Sequence, residues 1–281
     1  MEAITLKNVS FHYVPGIPIL RDFSSSITKG EFLTIVGPNG SGKSTLLKLC
    51  SGVCSARQGS IHLYGRPLSD YPRRELAKQM AFVSQENAIE FPFTVFEIVL
   101  MGRAPHFRGS AFESTRDREI ARSVMDKTDI AHLAHQPVTT LSGGERQRAF
   151  IARALAQEPE IILLDEPNAH LDIAHQIEIF GLMKRLNVED GMTVVAVSHD
   201  LNLAASYSDR IAMLLCGGLV AVGTPNEVLT STRIREVFQT EVMVDKHPVR
   251  ETPRITLAIP VEDGRADGRG STAAIDVQKI G

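Results

Sequence analysis

The sequence predicts an α/β fold: a parallel β-sheet with helices, an antiparallel β subdomain at its start and a helical subdomain inserted within it. Three features carry this prediction. An apolar run at residues 32–36 leads through a glycine-rich loop into a helical pattern, the order found in parallel sheets. Residues 161–164 and 193–197 are uniformly apolar, as in strands buried on both faces. Residues 86–140 instead show helical patterns punctuated by proline and glycine.

The composition fits one large domain with an appendage, or two small domains. Of the 281 residues, 43% are hydrophobic, which excludes wholesale disorder. The net charge of −3 argues against nucleic-acid binding as the main function. Three cysteines in a chain of this length indicate a reducing compartment. We find no signal-peptide pattern and no apolar run near the ~20 residues of a membrane span, so we expect a cytoplasmic protein.

The N-terminal segment predicts an antiparallel pair of strands. Residues 3–13 alternate partly between apolar and polar, with a bulge or kink at Asn8, and residues 17–27 return as the second strand. The third strand, residues 32–36, leads into the glycine-rich loop. We therefore expect a small antiparallel sheet attached to the parallel one.

Residues 37–45, GPNGSGKST, match the phosphate-binding loop pattern in the strand–loop–helix setting that it requires. Glycines let successive N–H groups point at phosphate oxygens, and the following helix adds its positive end. Lys43 can reach the β- and γ-phosphates, and the Ser44 hydroxyl can bind Mg²⁺. A plain glycine turn is disfavoured because strand, glycines, lysine and hydroxyl are all in place. The predicted nucleotide-binding residues here are Gly37, Pro38, Asn39, Gly40, Ser41, Gly42, Lys43, Ser44 and Thr45.

Two residues near this loop each have two interpretations. The pattern after the first helix predicts a strand at residues 59–63, a helix at 72–78 and a buried strand at 80–84. Gln85 follows that last strand, where its amide either binds Mg²⁺ or water, or is solvated in a loop. Tyr13 either stacks on a purine base or serves as an aromatic residue of the core or rim.

The inserted region predicts two helices joined by an irregular loop. One helical pattern covers residues 95–101, and the other runs from about residue 112 to 127 with its apolar residues on one side. Residues 102–108 between them contain two arginines, a histidine and a phenylalanine. Such loops often contact a partner, but they are as often merely solvated.

Residues 141–145, LSGGE, begin a helix in an unusual way. Ser142 and Glu145 have capping-box spacing, which many helices share. Gly143 and Gly144 cost the first turn roughly 1 kcal/mol each relative to alanine. They also leave backbone N–H groups uncovered at the positive end of the helix. The sequence therefore predicts a second anion site.

Acidic residues and a histidine follow two of the buried strands. Ligands gather at the carboxyl ends of parallel strands, so Asp165, Glu166 and His199 should face the nucleotide. Asp165 is suited to hold Mg²⁺ through water, and Glu166 to act as general base on the attacking water. An acid pair or a histidine alone would fit simple solvation equally well, and the phosphate loop favours the functional interpretation.

Taken together, these motifs resemble the nucleotide-binding subunits of ATP-binding-cassette (ABC) transporters. The resemblance rests on GPNGSGKST, Gln85, LSGGE, ILLDEP, the AHLD sequence at residues 169–172, and His199, in that order. It implies an ATPase of the P-loop NTPase class with a RecA-like core and the two subdomains predicted above. The implied division is 1–240 for the ATPase domain, with its helical subdomain at about 86–157, then 241–260 for a C-terminal extension and 261–281 for a disordered tail.

The resemblance also implies roles for individual residues. Tyr13 would stack on adenine, Gln85 would sense Mg²⁺ and partner contact, and His199 would hold the γ-phosphate. Asp172 would bridge to the opposite subunit. Asn168 stands where threonine or serine is more usual, a departure that touches no phosphate group. The predicted catalytic residues are Lys43, Gln85, Glu166 and His199, the metal ligands are Ser44, Gln85 and Asp165, and the remaining nucleotide contacts are Tyr13, Ser142, Gly143, Gly144, Glu145 and Asp172.

One phosphate loop and one LSGGE segment in the chain imply that two subunits pair head to tail. In the family, ATP lies between the phosphate loop of one chain and residues 142–144 of the other. We therefore expect ATP and Mg²⁺ as cofactors and a homodimer, or a pair with a similar subunit. The dimer would drive a separate transmembrane permease from the cytoplasmic face of the inner membrane, as in importers supplied by a periplasmic or lipoprotein solute-binding protein.

The cargo is less constrained. The GRAPH sequence at residues 102–106, the NAHLD sequence at 168–172 and the short C-terminal extension resemble the branch importing iron-siderophores, haem and cobalamin. We expect residues 86–108 to form the permease-docking surface. Alternatives are an importer of zinc, manganese or molybdate, and a non-transport P-loop ATPase. A small-molecule kinase has no need of LSGGE, and a silent binding module is opposed by Lys43, Glu166 and His199.

Overall fold

The computed structural model describes residues 1–85, 91–107, 113–169 and 171–258. The described strands are β1 (Glu2–Phe11), β2 (Leu20–Thr28), β3 (Phe32–Val36), β4 (Gln58–Leu63), β5 (Arg66–Pro67), β6 (Met80–Val83), β7 (Ile161–Leu164), β8 (Thr193–Val197), β9 (Arg210–Leu215), β10 (Gly218–Gly223), β11 (Val242–Lys246) and β12 (Pro253–Leu257). The described α-helices are α1 (Lys43–Cys50), α2 (Arg73–Gln79), α3 (Val95–Met101), α4 (Thr115–Lys127), α5 (Gly143–Leu155), α6 (Ile173–Glu189), α7 (Leu201–Tyr207), α8 (Pro225–Val228) and α9 (Ser231–Phe238).

A six-stranded sheet in the order β10-β9-β3-β8-β7-β6 forms the centre of the fold. The five strands from β9 to β6 are parallel, and β10 pairs with β9 as an antiparallel hairpin. The parallel strands β3, β7 and β8 are buried along their whole length, which explains their uniformly apolar sequences. The carboxyl ends of these strands consequently lie along one edge of the sheet.

The two faces of this sheet are covered by different elements. Along β7, Ile162 and Leu164 join a core with residues of α3, α4, α5 and α6. Ile161 and Leu163 point the other way, into a core with α1 and the antiparallel strands. Alternation along a strand thus divides the hydrophobic core into two layers.

The antiparallel sheet has the order β2-β1-β4-β5. Asn8 adopts a left-handed backbone with φ of 51°, and the β1–β2 register shifts between Leu6 and Val9. The Asn8 amide donates to Asp22 across the irregularity at 2.8 Å. The bulge or kink predicted at Asn8 is therefore confirmed.

The inserted helices form between β6 and β7, and the α/β prediction with its two subdomains is confirmed. Helix α3 covers the predicted residues 95–101, and α4 begins at Thr115. The earlier start predicted at about residue 112 lies at a position outside the described residues. Capping boxes begin both helices, with Thr94 and Glu97 at α3 and Ser114 and Asp117 at α4.

The C-terminal extension contains a β-hairpin that the sequence analysis did not predict. Strands β11 and β12 pair in antiparallel register, from Val242 opposite Leu257 to Lys246 opposite Pro253. The tail predicted at residues 261–281 lies outside the described part of the chain. None of the helices in the described ranges has the length and apolar character needed to cross a membrane.

Candidate active site

The phosphate loop connects β3 to α1 with the backbone conformations that glycine permits. Gly37, Gly40 and Gly42 have φ of 152°, 77° and 97°. A Cβ atom on Gly37 would lie 2.3 Å from the carbonyl oxygen of Leu214, so this position excludes every other residue type. The loop is consequently wrapped tightly against β9.

The amino group of Lys43 lies inside this loop. Its Nζ donates to the carbonyl oxygens of Gly37 and Pro38, both at 3.0 Å. Burial lowers the pKa of Lys43, while the nearby charges of Glu166 and Asp165 act to raise it. The ammonium group is thus held where the loop curls, next to two carboxylates.

Two observations indicate that the loop can bind a phosphate group. The Ser41 hydroxyl is buried and, among the described residues, has no hydrogen-bond partner. A cavity of about 220 Å³ opens over the loop, lined by Asn39, Gly40, Gly42, Lys43, Ser44, Thr45, Ile19 and Glu166. An anion in this cavity would meet the Lys43 ammonium and the N-terminus of α1 together.

Ser44 and Asp165 are in direct contact. The Ser44 hydroxyl donates to Asp165 Oδ1 at 2.8 Å, and Asp165 is 4% exposed. Burial raises the pKa of Asp165, and the hydrogen bond from Ser44 together with Lys48 and Lys43 opposes the rise. A hard oxygen pair beside a phosphate site suits Mg²⁺, which takes few protein ligands and completes its shell with phosphate and water.

Glu166 is held from both sides at the end of β7. Gln85 Nε2 donates to its Oε2 at 2.8 Å, and His199 Nε2 lies 2.5 Å from its Oε1. Its backbone is left-handed, with φ of 49°, a conformation that non-glycine residues adopt at a free-energy cost. The structure thus brings together Gln85, Glu166 and His199 from the ends of three neighbouring strands.

Tyr13 lies at the rim of the phosphate loop. It is 51% exposed and packs edge-to-face on Phe11, with ring centroids 4.8 Å apart. Its hydroxyl is 3.5 Å from Thr45 Oγ1. The ring is therefore a rim aromatic beside the cavity, with a face available to a flat group.

Ile19 is a site residue that sequence reasoning missed. It lines the phosphate-loop cavity, and its carbonyl oxygen would lie 3.0 Å from a Cβ atom on Gly42. An isoleucine at the start of a strand carries no motif. Its proximity arises from the packing of β2 against the loop, which is long-range information.

The LSGGE segment is built as predicted but lies elsewhere. Ser142 caps α5 and donates through its hydroxyl to Glu145 Oε2 at 2.7 Å. The Ser142 hydroxyl and backbone N–H lower the pKa of Glu145. Gly143 and Gly144 form the first turn. None of the residues from 141 to 145 lines the phosphate-loop cavity.

Asp172 begins α6 on the same side as the LSGGE segment. Its Oδ1 accepts from the backbone N–H of His175 at 2.9 Å, as a helix N-cap does. The side chain of Leu171 would lie 3.2 Å from a Cβ atom on Gly143. The start of α6 thus packs against the start of α5.

The loop at residues 102–108 is partly structural. Arg103 is 3% exposed and donates to Asp117 at 2.9 Å and to the carbonyl oxygen of Ala156 at 2.6 Å. It is therefore neither solvated nor available to a partner. Residues 86–90 and 108 of the predicted docking surface lie outside the described ranges. Phe91 and Met101, within that surface, are 70% and 42% exposed.

Comparison with known proteins identifies the family. The ABC transporter family model matches residues 20–169. The chain is 44% identical over 250 residues to the hemin import ATP-binding protein HmuV of Gloeobacter violaceus, covering 86% of this chain and 89% of that protein. It is 40% identical to the iron(3+)-hydroxamate import ATP-binding protein FhuC of Bacillus subtilis, over 90% of this chain and 94% of that protein.

Solved structures agree. An inward-facing structure described as a metal-chelate type ABC transporter matches with a TM-score of 0.81 and 30% identity, covering 92% of this chain and 98% of that one. A dimeric ATP-binding cassette, MJ0796, bound to ADP and phosphate matches with a TM-score of 0.70 and 35% identity, over 79% and 98% of the two chains. This chain therefore belongs to the ABC transporter family, as an ATP-binding subunit that hydrolyses ATP.

Proposed function

We propose that this chain drives an importer of an iron chelate, either haem or a ferric siderophore, through a separate transmembrane permease. The observation that carries the ATPase part is the contact of Gln85 and His199 with Glu166 beside the phosphate loop. The cargo class is supported by the similarity to hemin and hydroxamate import proteins. Importers of zinc, manganese or molybdate, and non-transport ATPases, have no comparable support here.

The residues of one chain divide the work on ATP. When ATP binds, Lys43 exchanges its hydrogen bonds to two carbonyl oxygens for bonds to the β- and γ-phosphates. The backbone N–H groups of the loop donate to oxygen atoms of the same phosphates. Tyr13 offers its exposed ring to the adenine. Ser44, Asp165 and Gln85 supply oxygen atoms of the kind that hold Mg²⁺, which when bound neutralises charge on the phosphates.

Glu166 acts as the general base. It accepts a proton from the water that attacks the γ-phosphate, and this raises the nucleophilicity of that water. His199 and Gln85 keep its two oxygens oriented, and His199 can then donate a hydrogen bond to the γ-phosphate. The sharing of one carboxylate between two donors on neighbouring strands fixes its direction in advance.

Two copies pair head to tail in this proposal. Ser142, Gly143, Gly144 and Glu145 lie away from the phosphate-loop cavity of their own chain. The helix end they form would instead complete the nucleotide site of the second copy, with Asp172 beside it. The dimeric structures of MJ0796, to which this chain is similar, support the pairing of two copies.

The permease docks on the helical insertion, and the chain lies peripherally at the cytoplasmic face of the inner membrane. Exposed Phe91, Phe93 and Met101 on this insertion supply apolar surface for such a contact. A solute-binding protein would act on the permease from the opposite side and never touch this chain. Nucleic acid has no place in the proposal.

The test is Glu166→Gln, which keeps the shape of the side chain and removes the base. We expect turnover to fall by at least 100-fold, while ATP is still bound and a dimer accumulates with ATP and Mg²⁺ in size-exclusion chromatography. Glu189→Gln, an exposed glutamate on α6, is the matched control and should change neither quantity. Undiminished hydrolysis in Glu166→Gln would refute the role given to this residue.

The cargo is tested by uptake. Cells lacking this chain are supplied with haem, a ferric hydroxamate or cobalamin as labelled solute, and complemented with the wild type or Glu166→Gln. We expect the wild type alone to restore uptake of one iron chelate. Restoration of cobalamin uptake instead would overturn the cargo assignment and leave the ATPase assignment intact.

A further inference from the structure

His175, on the first turn of α6, has a ring that contacts two segments at once. Its Nδ1 lies 2.8 Å from Asp172 Oδ1, the same oxygen that accepts the backbone N–H of His175 at 2.9 Å. His175 therefore contacts the N-cap residue of α6 through both its backbone N–H and its ring. A carboxylate that accepts two such bonds has little rotational freedom left.

The opposite edge of the same ring lies against Gly144. A Cβ atom built on Gly144 would be 2.1 Å from His175 Cδ2 and 2.7 Å from its Nε2. The ring thus occupies the space that any side chain at position 144 would need. A side chain at position 144 would therefore displace the His175 ring, so glycine here leaves room for that ring as well as leaving N–H groups uncovered at the helix end.

These two contacts join the parts of the chain that face the second copy in the proposed dimer. Gly144 belongs to the helix end that completes the partner's nucleotide site, and Asp172 begins the neighbouring helix. Glu145 and Asp172 supply the negative charges near the ring, and His132 is a further histidine whose charge acts on Glu145. No motif in the sequence marks His175.

We propose that His175 is a positioning residue that locks Asp172 against the glycine pair, so that both present themselves to the second copy as one rigid unit. The positioning role rests on the head-to-tail dimer proposed above. The contacts of His175 with Asp172 and Gly144 lie within one chain and do not depend on it. His175 touches neither ATP nor the phosphate loop. Its loss should consequently weaken the closing of the dimer and spare the binding of ATP to a single chain.

The contact is tested by a double-mutant cycle on thermal stability. Gly144→Ala adds a good helix former but collides with the ring, so it should lower Tm in the wild-type background. In the His175→Ala background the space is open, and the same substitution should leave Tm unchanged or raise it. Equal Tm shifts in the two backgrounds would show that the ring does not occupy the site and would overturn the proposal.

The positioning role is tested in the Glu166→Gln background, in which ATP is kept. His175→Ala should weaken ATP-dependent dimerisation about tenfold in sedimentation velocity, because an Asp172 side chain that is no longer held in place must be ordered when the dimer closes. The Kd of the single chain for a fluorescent ATP analogue, measured at protein concentrations too low for dimerisation, should stay within twofold. A general loss of folding would weaken both.

His132→Ala is the matched control, because it removes an exposed histidine whose charge, like that of His175, acts on Glu145. It should alter neither dimerisation nor ATP binding. Unchanged dimerisation in His175→Ala, or an equal loss in His132→Ala, would overturn the positioning role. If Glu166→Gln forms no dimer with ATP, the head-to-tail proposal fails and this role fails with it, while the stability cycle still decides the contact.

Discussion

Lys43 illustrates how one residue joins the fold to the chemistry. The Lys43 residue is 5% exposed, and its ammonium group has two carbonyl partners and two carboxylates nearby. A buried charge without partners would be costly, and these partners stabilise it. The same geometry places the positive charge where phosphate oxygens would arrive.

Lys43→Ala should weaken the binding of ATP 10- to 100-fold, because a charge-assisted bond contributes roughly 1.5–3 kcal/mol. Isothermal titration calorimetry measures the change. Lys7→Ala, an exposed lysine on β1, is the control and should bind ATP as the wild type does. Retention of wild-type affinity in Lys43→Ala would contradict the placement of phosphate in this loop.

Two glycines of the phosphate loop allow the cost of a positive φ to be distinguished from the cost of a steric clash. Gly37 and Gly40 both have positive φ, but a Cβ atom meets the Leu214 carbonyl oxygen at 2.3 Å only on Gly37 and open space on Gly40. Both alanine variants carry a left-handed penalty of roughly 1–2 kcal/mol. Gly37→Ala should therefore lower Tm clearly more than Gly40→Ala in differential scanning calorimetry. Equal losses would show that β9 does not confine the loop.

At the scale of residues, the sequence predicts the site where a motif or a strand end marks it. Ser44, Asp165, Glu166 and His199 were expected at one edge of the sheet, and they lie there. Ile19 and His175 were not expected, because their positions depend on contacts between distant segments. The chemical roles of these residues stay predictions until variants are measured.

At the scale of elements, Arg103 connects the segments of the helical insertion. This buried arginine links the loop after α3 to Asp117 on α4 and, at the end of α5, to Ala156 and Glu158. Removing one partner of such a buried pair leaves a charge uncompensated. One residue of the loop considered for partner contact, Arg103, thus helps to hold the insertion together.

The carboxyl of Asp117 makes the stability of this insertion dependent on pH. Burial raises its pKa, but hydrogen bonds from Ser114 and Arg103 outweigh burial and lower the pKa to about 2. Because the folded-state pKa is the lower one, the stabilisation is complete above the unfolded pKa near 4 and is lost as pH falls toward 2. At pH 7 it amounts to about 2 kcal/mol.

Urea denaturation of the wild type and Asp117→Asn at several pH values measures this dependence. The difference in the free energy of unfolding should be largest at pH 7 and should shrink between pH 4 and pH 2. Asp126→Asn, an exposed aspartate on the same helix, should show no such difference. A gap between wild type and Asp117→Asn that stays constant down to pH 3 would contradict the assignment.

Most elements were predictable because local signals agree with the fold. Strands β3, β7 and β8 are continuous apolar runs, and α5 begins with a capping box. The C-terminal hairpin was missed because β11 does not alternate between apolar and polar residues, and charged residues and a proline interrupt the apolar positions of the two strands. The hairpin is stabilised by contacts with α7, which a local sequence pattern does not reveal.

At the scale of the whole molecule, that hairpin is fastened to the helix that follows His199. The side-chain amide of Asn202 on α7 donates to the Ile255 carbonyl at 3.1 Å and accepts from its N–H at 2.8 Å, as a neighbouring strand would. Arg250 also donates to the Ser206 carbonyl at 2.9 Å. The C-terminal extension is thereby part of the folded ATPase unit in the described structure.

Asn202→Ala should free β12 from α7, with a loss of roughly 1–2 kcal/mol for two hydrogen bonds. Hydrogen exchange of the Ile255 amide should become faster, and limited proteolysis should cut the hairpin earlier. Asn226→Ala, which removes a single bond to the Glu251 carbonyl, should have a smaller effect. Unchanged exchange at Ile255 in Asn202→Ala would show that the hairpin is held by other contacts.

The two contacts on the Glu166 carboxylate tie its orientation to the ends of the strands on either side. The strand that carries the carboxylate, β7, lies between β6 and β8, and the two carboxylate oxygens are held by Gln85 and His199, which follow those two strands. The helical insertion comes after β6 in the chain. A displacement of the end of β6 would move Gln85 and so change the direction in which the carboxylate points. We therefore expect the rate of hydrolysis to depend on the position of the insertion that follows β6.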